Sequence, residues 1–172
     1  MNDSAAPTRR GDQVRVTIAV AVPQDVAFEI FTNEIDRWWR KGPRFRQSGM
    51  SAGMIRLEAG VGGRLFESVE SAGVERVFVV GRVRAWEPPA RLVFTWKNEV
   101  FAPEEDTEVE VTFAPTSRGT LVTVTHRGWT AIRPDHPARH SMPVDEFIRS
   151  LGGWWGDQMS SMRLLVEQSR RR

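Results

Sequence analysis

The chain contains no cysteine, no tyrosine and only two lysines, Lys41 and Lys97, in 172 residues. Without cysteine there is no disulfide framework, no thiol nucleophile and no cysteine-ligated metal. A reducing, cytoplasmic setting is the expectation. No run approaches the ~20 apolar residues that a membrane span requires. The opening segment MNDSAAPTRRGDQ has no apolar run either, so no signal peptide is expected. Few groups titrate between about pH 7 and 11 in such a composition. A small arginine excess therefore carries the isoelectric point to 9.9, although the formal net charge is only +2. The net charge is the better guide, and it argues against nucleic acid as a partner.

What the chain does have is periodicity. Residues 1–12 are polar and aperiodic and suggest a disordered tail; residues 13–170 suit one domain. Val14, Val16, Ile18, Val20 and Val22 alternate with Arg15, Thr17, Ala19 and Ala21, the pattern of a half-buried strand. Pro23 ends it and opens a short amphipathic helix marked by Val26, Ala27, Ile30 and Phe31. A second short helix, capped at Thr32 or Asn33, carries Ile35, Trp38 and Trp39. Residues 41–53 are rich in Gly, Arg and Ser and indicate a loop. Strands are then expected at 54–59, 64–70, 74–86 and 91–96, around Val109, Val111 and Phe113, and finally where Val122, Val124 and His126 share a face. The tight turns between them make an antiparallel meander. Residues 128–140, with Trp129, form a connecting loop.

The strongest signal is the last one. Val144, Phe147, Ile148, Leu151, Trp154, Trp155, Met159, Met162, Leu165 and Val166 lie three and four apart, one apolar stripe on a helix over 144–168. At ~1.5 Å per residue it is roughly 37 Å long. Ser141 and Pro143 suit its start, and Asp145 and Glu146 suit the positive end of its dipole. Gly152, Gly153 and Gly156 each cost about 1 kcal/mol relative to alanine. Either another backbone comes close there, or a ligand has room beneath the helix. A one-sided sheet must bury its apolar face. The pattern therefore predicts an α+β fold: a curved antiparallel sheet of six to seven strands gripping the long C-terminal helix, with two short helices filling one end.

Some short patterns carry little chemistry. Gly49-Met50-Ser51-Ala52-Gly53 matches a nucleophile elbow, but lacks the strand before and helix after that the motif needs. Gly60-Val61-Gly62-Gly63 has Leu65 where a dinucleotide fingerprint has glycine, and is a hairpin turn. His136 and His140 are four apart, yet Pro134 and Pro137 interrupt any helix; a solvated loop is the reading, and no metal or cofactor is expected. His126 points inward by parity with Val122 and Val124. It is either a satisfied structural imidazole, a ligand-orienting group or an acid–base group.

The segment Trp86-Glu87-Pro88-Pro89-Ala90-Arg91-Leu92-Val93-Phe94-Thr95-Trp96 resembles the middle signature of the Hsp90-ATPase-activator-like (AHSA1-like) branch of the START/Bet v 1-like helix-grip superfamily. Thr107 to Phe113 and Gly119 to Gly128 resemble the same branch further along the chain. Val61-Gly62-Gly63-Arg64-Leu65-Phe66 and Ile35-Asp36-Arg37-Trp38-Trp39 match two earlier signatures. Members range from ligand carriers to cyclases to co-chaperone domains. The resemblance implies three functions as expectations. The favoured one is non-catalytic binding of an apolar or aromatic small molecule between sheet and helix. The second is a co-chaperone-like module for an Hsp90-type chaperone, and the third a polyketide cyclase or aromatase. Parity makes Phe94, Trp96, Phe113 and His126 one wall of the cavity, joined by Phe66. Trp154 or Trp155 roofs it, both being cavity candidates, and Trp39, Trp86 and Leu151 complete it.

Overall fold

In the computed structural model, residues 12–49, 53–97 and 100–171 are described. The tail expected at 1–12 falls outside them except for Asp12, as do Met50, Ser51 and Ala52 of the elbow-like pattern.

Strand alternation sets the architecture. β1 (Gln13–Val20) turns Val14, Ile18 and Val20 to the core and pairs antiparallel with the last strand, β7 (Gly119–Arg127). Between them in sequence come β2 (Met54–Leu57), β3 (Arg64–Ser71), β4 (Val74–Glu87), β5 (Arg91–Trp96) and β6 (Thr107–Thr116). They form one antiparallel sheet in the order β1-β7-β6-β5-β4-β3-β2. Each neighbour beyond β1 is therefore the next or previous strand in sequence, a meander closed by the first strand. Helices α1 (Gln24–Thr32) and α2 (Ile35–Trp38) follow β1, and α3 (Val144–Ser169) ends the chain. This is the α+β helix-grip arrangement, with seven strands. The registers Val109↔His126, Val111↔Val124 and Phe113↔Val122 line up the inner face of the sheet. Those six residues are all buried.

The core is not uniform along α3. Its C-terminal half buries Met159, Met162 and Val166, while α1 adds Phe28 and Phe31. Phe28 and Phe31 pack on Phe113 at ring distances of 5.2 and 5.7 Å, and Phe28 meets Trp86 edge-on at 5.2 Å. That end is filled. A smaller cluster of Phe101, Trp129, Ile132 and Phe147 covers the other end, under the N-terminal half of α3.

Two glycine positions decide geometry. A Cβ at Gly81 would lie 1.8 Å from the Thr95 carbonyl oxygen, so β4 and β5 approach as closely as they do only with glycine there. The α3 glycines behave differently. At Gly152 a Cβ would meet Val14 Cγ2 at 3.1 Å, whereas Gly153 and Gly156 face open space. The close neighbour at Gly152 is thus a side chain of β1 rather than a backbone, and α3 remains one continuous helix. Its N-cap is Pro143 with no side-chain cap; Ser141 instead adopts a left-handed conformation.

Candidate functional site

Where the helix leaves the filled core, tryptophans take over. Trp39, just after α2, donates its indole N–H to the Phe45 carbonyl at 3.0 Å, and Trp154 on α3 donates to the Arg44 carbonyl at 2.9 Å. Both indoles therefore peg the 40–49 loop against the helix. Trp39 lies nearly parallel to Trp96 of β5, at 16° and 5.9 Å. Trp154 stands edge-on to both, at 5.7 and 5.6 Å. The guanidinium groups of Arg40 and Arg44 sit 5.1 and 5.3 Å from the Phe45 ring. Between this cluster and the 129–140 segment lies a cleft of about 460 Å³. Trp39, Trp96, Trp129 and Trp154 line it, with Phe45, Ile55, Val80, Phe147 and Leu151. Ligand clefts are typically ~300–1,000 Å³ and mostly apolar, with a few polar groups.

Two charged groups at the cleft are held by the fold. Arg46 is buried; it donates to Asp36 Oδ1 at 2.9 Å, to the Trp39 carbonyl at 2.8 Å and to the Arg40 carbonyl at 3.0 Å. Asp36 also accepts from the Ile55 N–H at 2.8 Å, which ties α2 to β2. Glu67 is buried as well. Its carboxylate accepts from the N–H groups of Gln47, at 2.6 Å, and Ser48, at 3.3 Å, and from the Ser48 hydroxyl. Arg46, within the loop, and Glu67, on β3, thus both tie the 40–49 loop to the rest of the fold.

His126 lies behind the cleft. Thr107 Oγ1 donates its single proton to the Trp96 carbonyl at 3.0 Å, so it accepts from His126 Nε2 at 2.7 Å. Nδ1 is then the bare nitrogen and accepts from Trp155 Nε1 at 3.2 Å. The imidazole is neutral with its proton on Nε2. Burial pushes its pKa down to about 3. The relay joins α3, β7, β6 and β5 behind the Trp96 ring.

Of the ten residues expected at the cavity, Trp39, Trp96, Leu151 and Trp154 line the cleft. Phe94, Phe113 and Trp155 are at most 2% exposed and belong to the main core, and His126 is fully buried behind the cleft. Trp86 is half-buried against Phe28. Phe66 is buried at 7% exposure but lies outside the cleft lining; it pairs with the exposed Arg56 and Val79, and the Arg64 guanidinium lies 4.6 Å from its ring. Parity assigned most of these to the inner face; it does not say which stretch of that face is already covered by α1. The loop contributors Arg44, Phe45, Val100, Pro137, Ala138 and His140 carry no periodic signal and were not foreseen. Trp129 sits in the connecting segment, yet is 2% exposed and lines the cleft. His136 is a correction: it is fully buried, not solvated. The segment folds back so that its ring lies 4.3 Å from Phe101, and its Nδ1 accepts from the Ala138 N–H at 3.1 Å. Among the described residues no cluster of His, Asp or Glu has metal-site geometry, and no helix is long and apolar enough to cross a membrane.

The model of the activator of Hsp90 ATPase homolog 1-like protein (AHSA1) family matches residues 21–151, and the chain belongs to that family. Solved structures share the fold, among them the following three. Protein MLL2253 from Mesorhizobium loti is 19% identical, with a TM-score of 0.61, covering 91% of this chain and 97% of that one. Protein NE0264 from Nitrosomonas europaea is 18% identical, with a TM-score of 0.63, covering 95% and 99%. DynU16, from the dynemicin biosynthetic locus, is 21% identical, with a TM-score of 0.60, covering 92% of this chain and 48% of that one. At these identities the likeness is one of fold. No curated protein matches the sequence.

Proposed function

We propose that the protein binds a hydrophobic or aromatic small molecule, without turning it over, in the cleft between the sheet and the N-terminal half of α3. The observation that carries this reading is the cleft of about 460 Å³ with four tryptophans in its lining. Flat apolar molecules gain roughly 25 cal/mol per Å² of apolar surface removed from water, and micromolar affinity needs only about 8 kcal/mol. Arg46 and Glu67, the buried ionic groups at the cleft, are engaged by Asp36, Trp39, Gln47 and Ser48. They hold a loop in place and are poorly placed to move protons on a substrate, which favours binding over cyclase-type catalysis.

Pyrene tests this directly, because it is flat, apolar and accepts energy from tryptophan. Titration should quench tryptophan emission saturably in the micromolar range. A linear, unsaturable response would overturn the reading. Family membership supports one second reading, contact with an Hsp90-type chaperone. A purified Hsp90-type ATPase whose turnover is unchanged by saturating amounts of this protein would remove it.

A further inference from the structure

The segment that forms one wall of the cleft carries buried hydrogen-bond donors that form no hydrogen bond: Trp129 lines the cleft, and His136 and Arg139 lie behind Pro137, Ala138 and His140, which line it too. Trp129 is 2% exposed and its Nε1 has no acceptor. Arg139 is 6% exposed and its Nε has none. His136 is fully buried, and its Nε2 forms no hydrogen bond; Glu105 Oε2 lies 3.5 Å away. All three belong to the short stretch between Trp129 and Arg139. Buried orphaned N–H groups are rare, and three on one segment need a cause.

Arg139 is the sharpest case. An arginine guanidinium is a fixed cation with five N–H donors and no acceptor. It makes two long bonds, to the Ile132 carbonyl at 3.4 Å and the Met142 carbonyl at 3.2 Å. Both residues pack in the apolar cluster of Phe101, Trp129 and Phe147. The Glu105 carboxylate is taken by the Ala102 N–H at 3.0 Å and by Arg133 at 2.9 Å. Among the described residues no carboxylate forms an ion pair with Arg139. A buried charge without a counter-charge is among the costliest arrangements a fold can keep. Pro137, Ala138 and His140, which flank Arg139, line the cleft. The two residues after it, His140 and Ser141, adopt left-handed conformations at φ 50° and 60°. Non-glycine residues hold that conformation only under constraint from their surroundings, and such positions gather at binding sites.

We propose that this wall receives the anionic end of the ligand, so that the cleft takes a planar aromatic carboxylate. The ring lies against Trp39, Trp96 and Trp154. The carboxylate becomes the acceptor that Arg139 lacks, in the two-pronged geometry a guanidinium favours, and Trp129 Nε1 supplies a further donor. Arg139 sits behind the lining residues Pro137, Ala138 and His140, so the 137–141 segment must turn when the carboxylate binds. This inference rests on the cleft being the binding site.

Equilibrium dialysis with 2-naphthoate and the uncharged 2-ethylnaphthalene separates the two ideas. Arg139→Met should weaken 2-naphthoate by about tenfold or more and leave 2-ethylnaphthalene within about twofold. Its melting temperature should hold or rise, because an unpaired buried charge has gone. Trp129→Phe should weaken 2-naphthoate by a smaller factor. If Arg139→Met binds 2-naphthoate as the wild type does, the inference is overturned while the cleft reading stands. If neither compound binds the wild type, both fall. A measurement on the wild type alone covers the case in which a variant fails to fold. The Nε–H resonance of Arg139 and the Nε1–H resonance of Trp129 should move on saturation with 2-naphthoate and stay in place with 2-ethylnaphthalene. Resonances unmoved by 2-naphthoate would equally overturn the proposal.

Discussion

Trp155 donates its indole N–H to Nδ1 of His126 across 3.2 Å, joining the long helix to the sheet through a neutral imidazole. His126 Nε2 passes the connection to Thr107 at 2.7 Å, and Thr107 to the Trp96 carbonyl. Protonating Nδ1 would set a charge in the core and turn an acceptor into a second donor facing Trp155.

Stability should therefore depend on pH through this residue. The folded pKa of His126 is about 3, held down by burial, against about 6.5 in an unfolded chain. Between those values the unfolded state binds the extra proton. This contribution is fully present above about pH 6.5 and is lost as pH falls toward 3. The slope is at most about 1.4 kcal/mol per pH unit. Urea denaturation of wild type and His126→Gln between about pH 4 and 6 should show the variant with the shallower slope. Equal slopes would mean that the imidazole is not buried neutral.

Gly153 offers a gain in stability. It lies within α3, its missing Cβ would face open space, and its backbone is helical. Gly153→Ala should therefore stabilise by about 0.5–1 kcal/mol. Gly152→Ala should gain less or lose, because the new methyl meets Val14 Cγ2 at 3.1 Å. The comparison needs only thermal melts of the two variants. A destabilised Gly153→Ala would show that the outer face of α3 at Gly153 is covered rather than open to solvent.

Arg46 is the loop's anchor. Arg46→Met keeps the length of the side chain and removes its bonds to Asp36, Trp39 and Arg40. The two carbonyls then lose a donor, and the variant should be about 3 kcal/mol less stable. Hydrogen exchange locates the effect. The Phe45 and Arg46 amides, which bond to the Gly42 carbonyl at 3.0 and 2.9 Å, should lose protection before the β6–β7 amides do. Uniform loss across the sheet would mean that the loop is not a separate unit.

These anchors also show where sequence reasoning reaches its limit. Alternation along β5, β6 and β7 placed Phe94, Phe113 and His126 on the inner face, and three-and-four spacing placed α3 above them. Both signals are local and periodic, so the fold was legible. The cleft depends on which part of that inner face remains uncovered. That is decided by α1 closing over Phe113 and by the 129–142 segment folding back onto Phe101. Such long-range loop contacts leave no period in the chain. Arg46, Trp129, His136 and Arg139 could be recognised only once the loops carrying them were in place.

The division between filled core and open cleft can be tested by comparing one residue from each. Trp154 is half-buried, lines the cleft and meets Trp39 and Trp96 at their edges. Phe113 is 2% exposed and packs against Phe28 and Phe31 at the filled end. Trp154→Ala removes apolar surface that a ligand would cover, and should weaken pyrene binding by about tenfold or more. Its cost in stability should stay near 1–2 kcal/mol, from the lost bond to the Arg44 carbonyl and some packing. Phe113→Ala opens a void in the packed core and should cost about 3–5 kcal/mol. At temperatures where it remains folded, its pyrene affinity should stay within about threefold of wild type. Affinity and stability should thus move separately in the two variants. If Phe113→Ala loses pyrene binding as strongly as Trp154→Ala does, the ligand lies deeper under the helix, and the cleft at the Trp39–Trp96–Trp154 cluster is only its entrance.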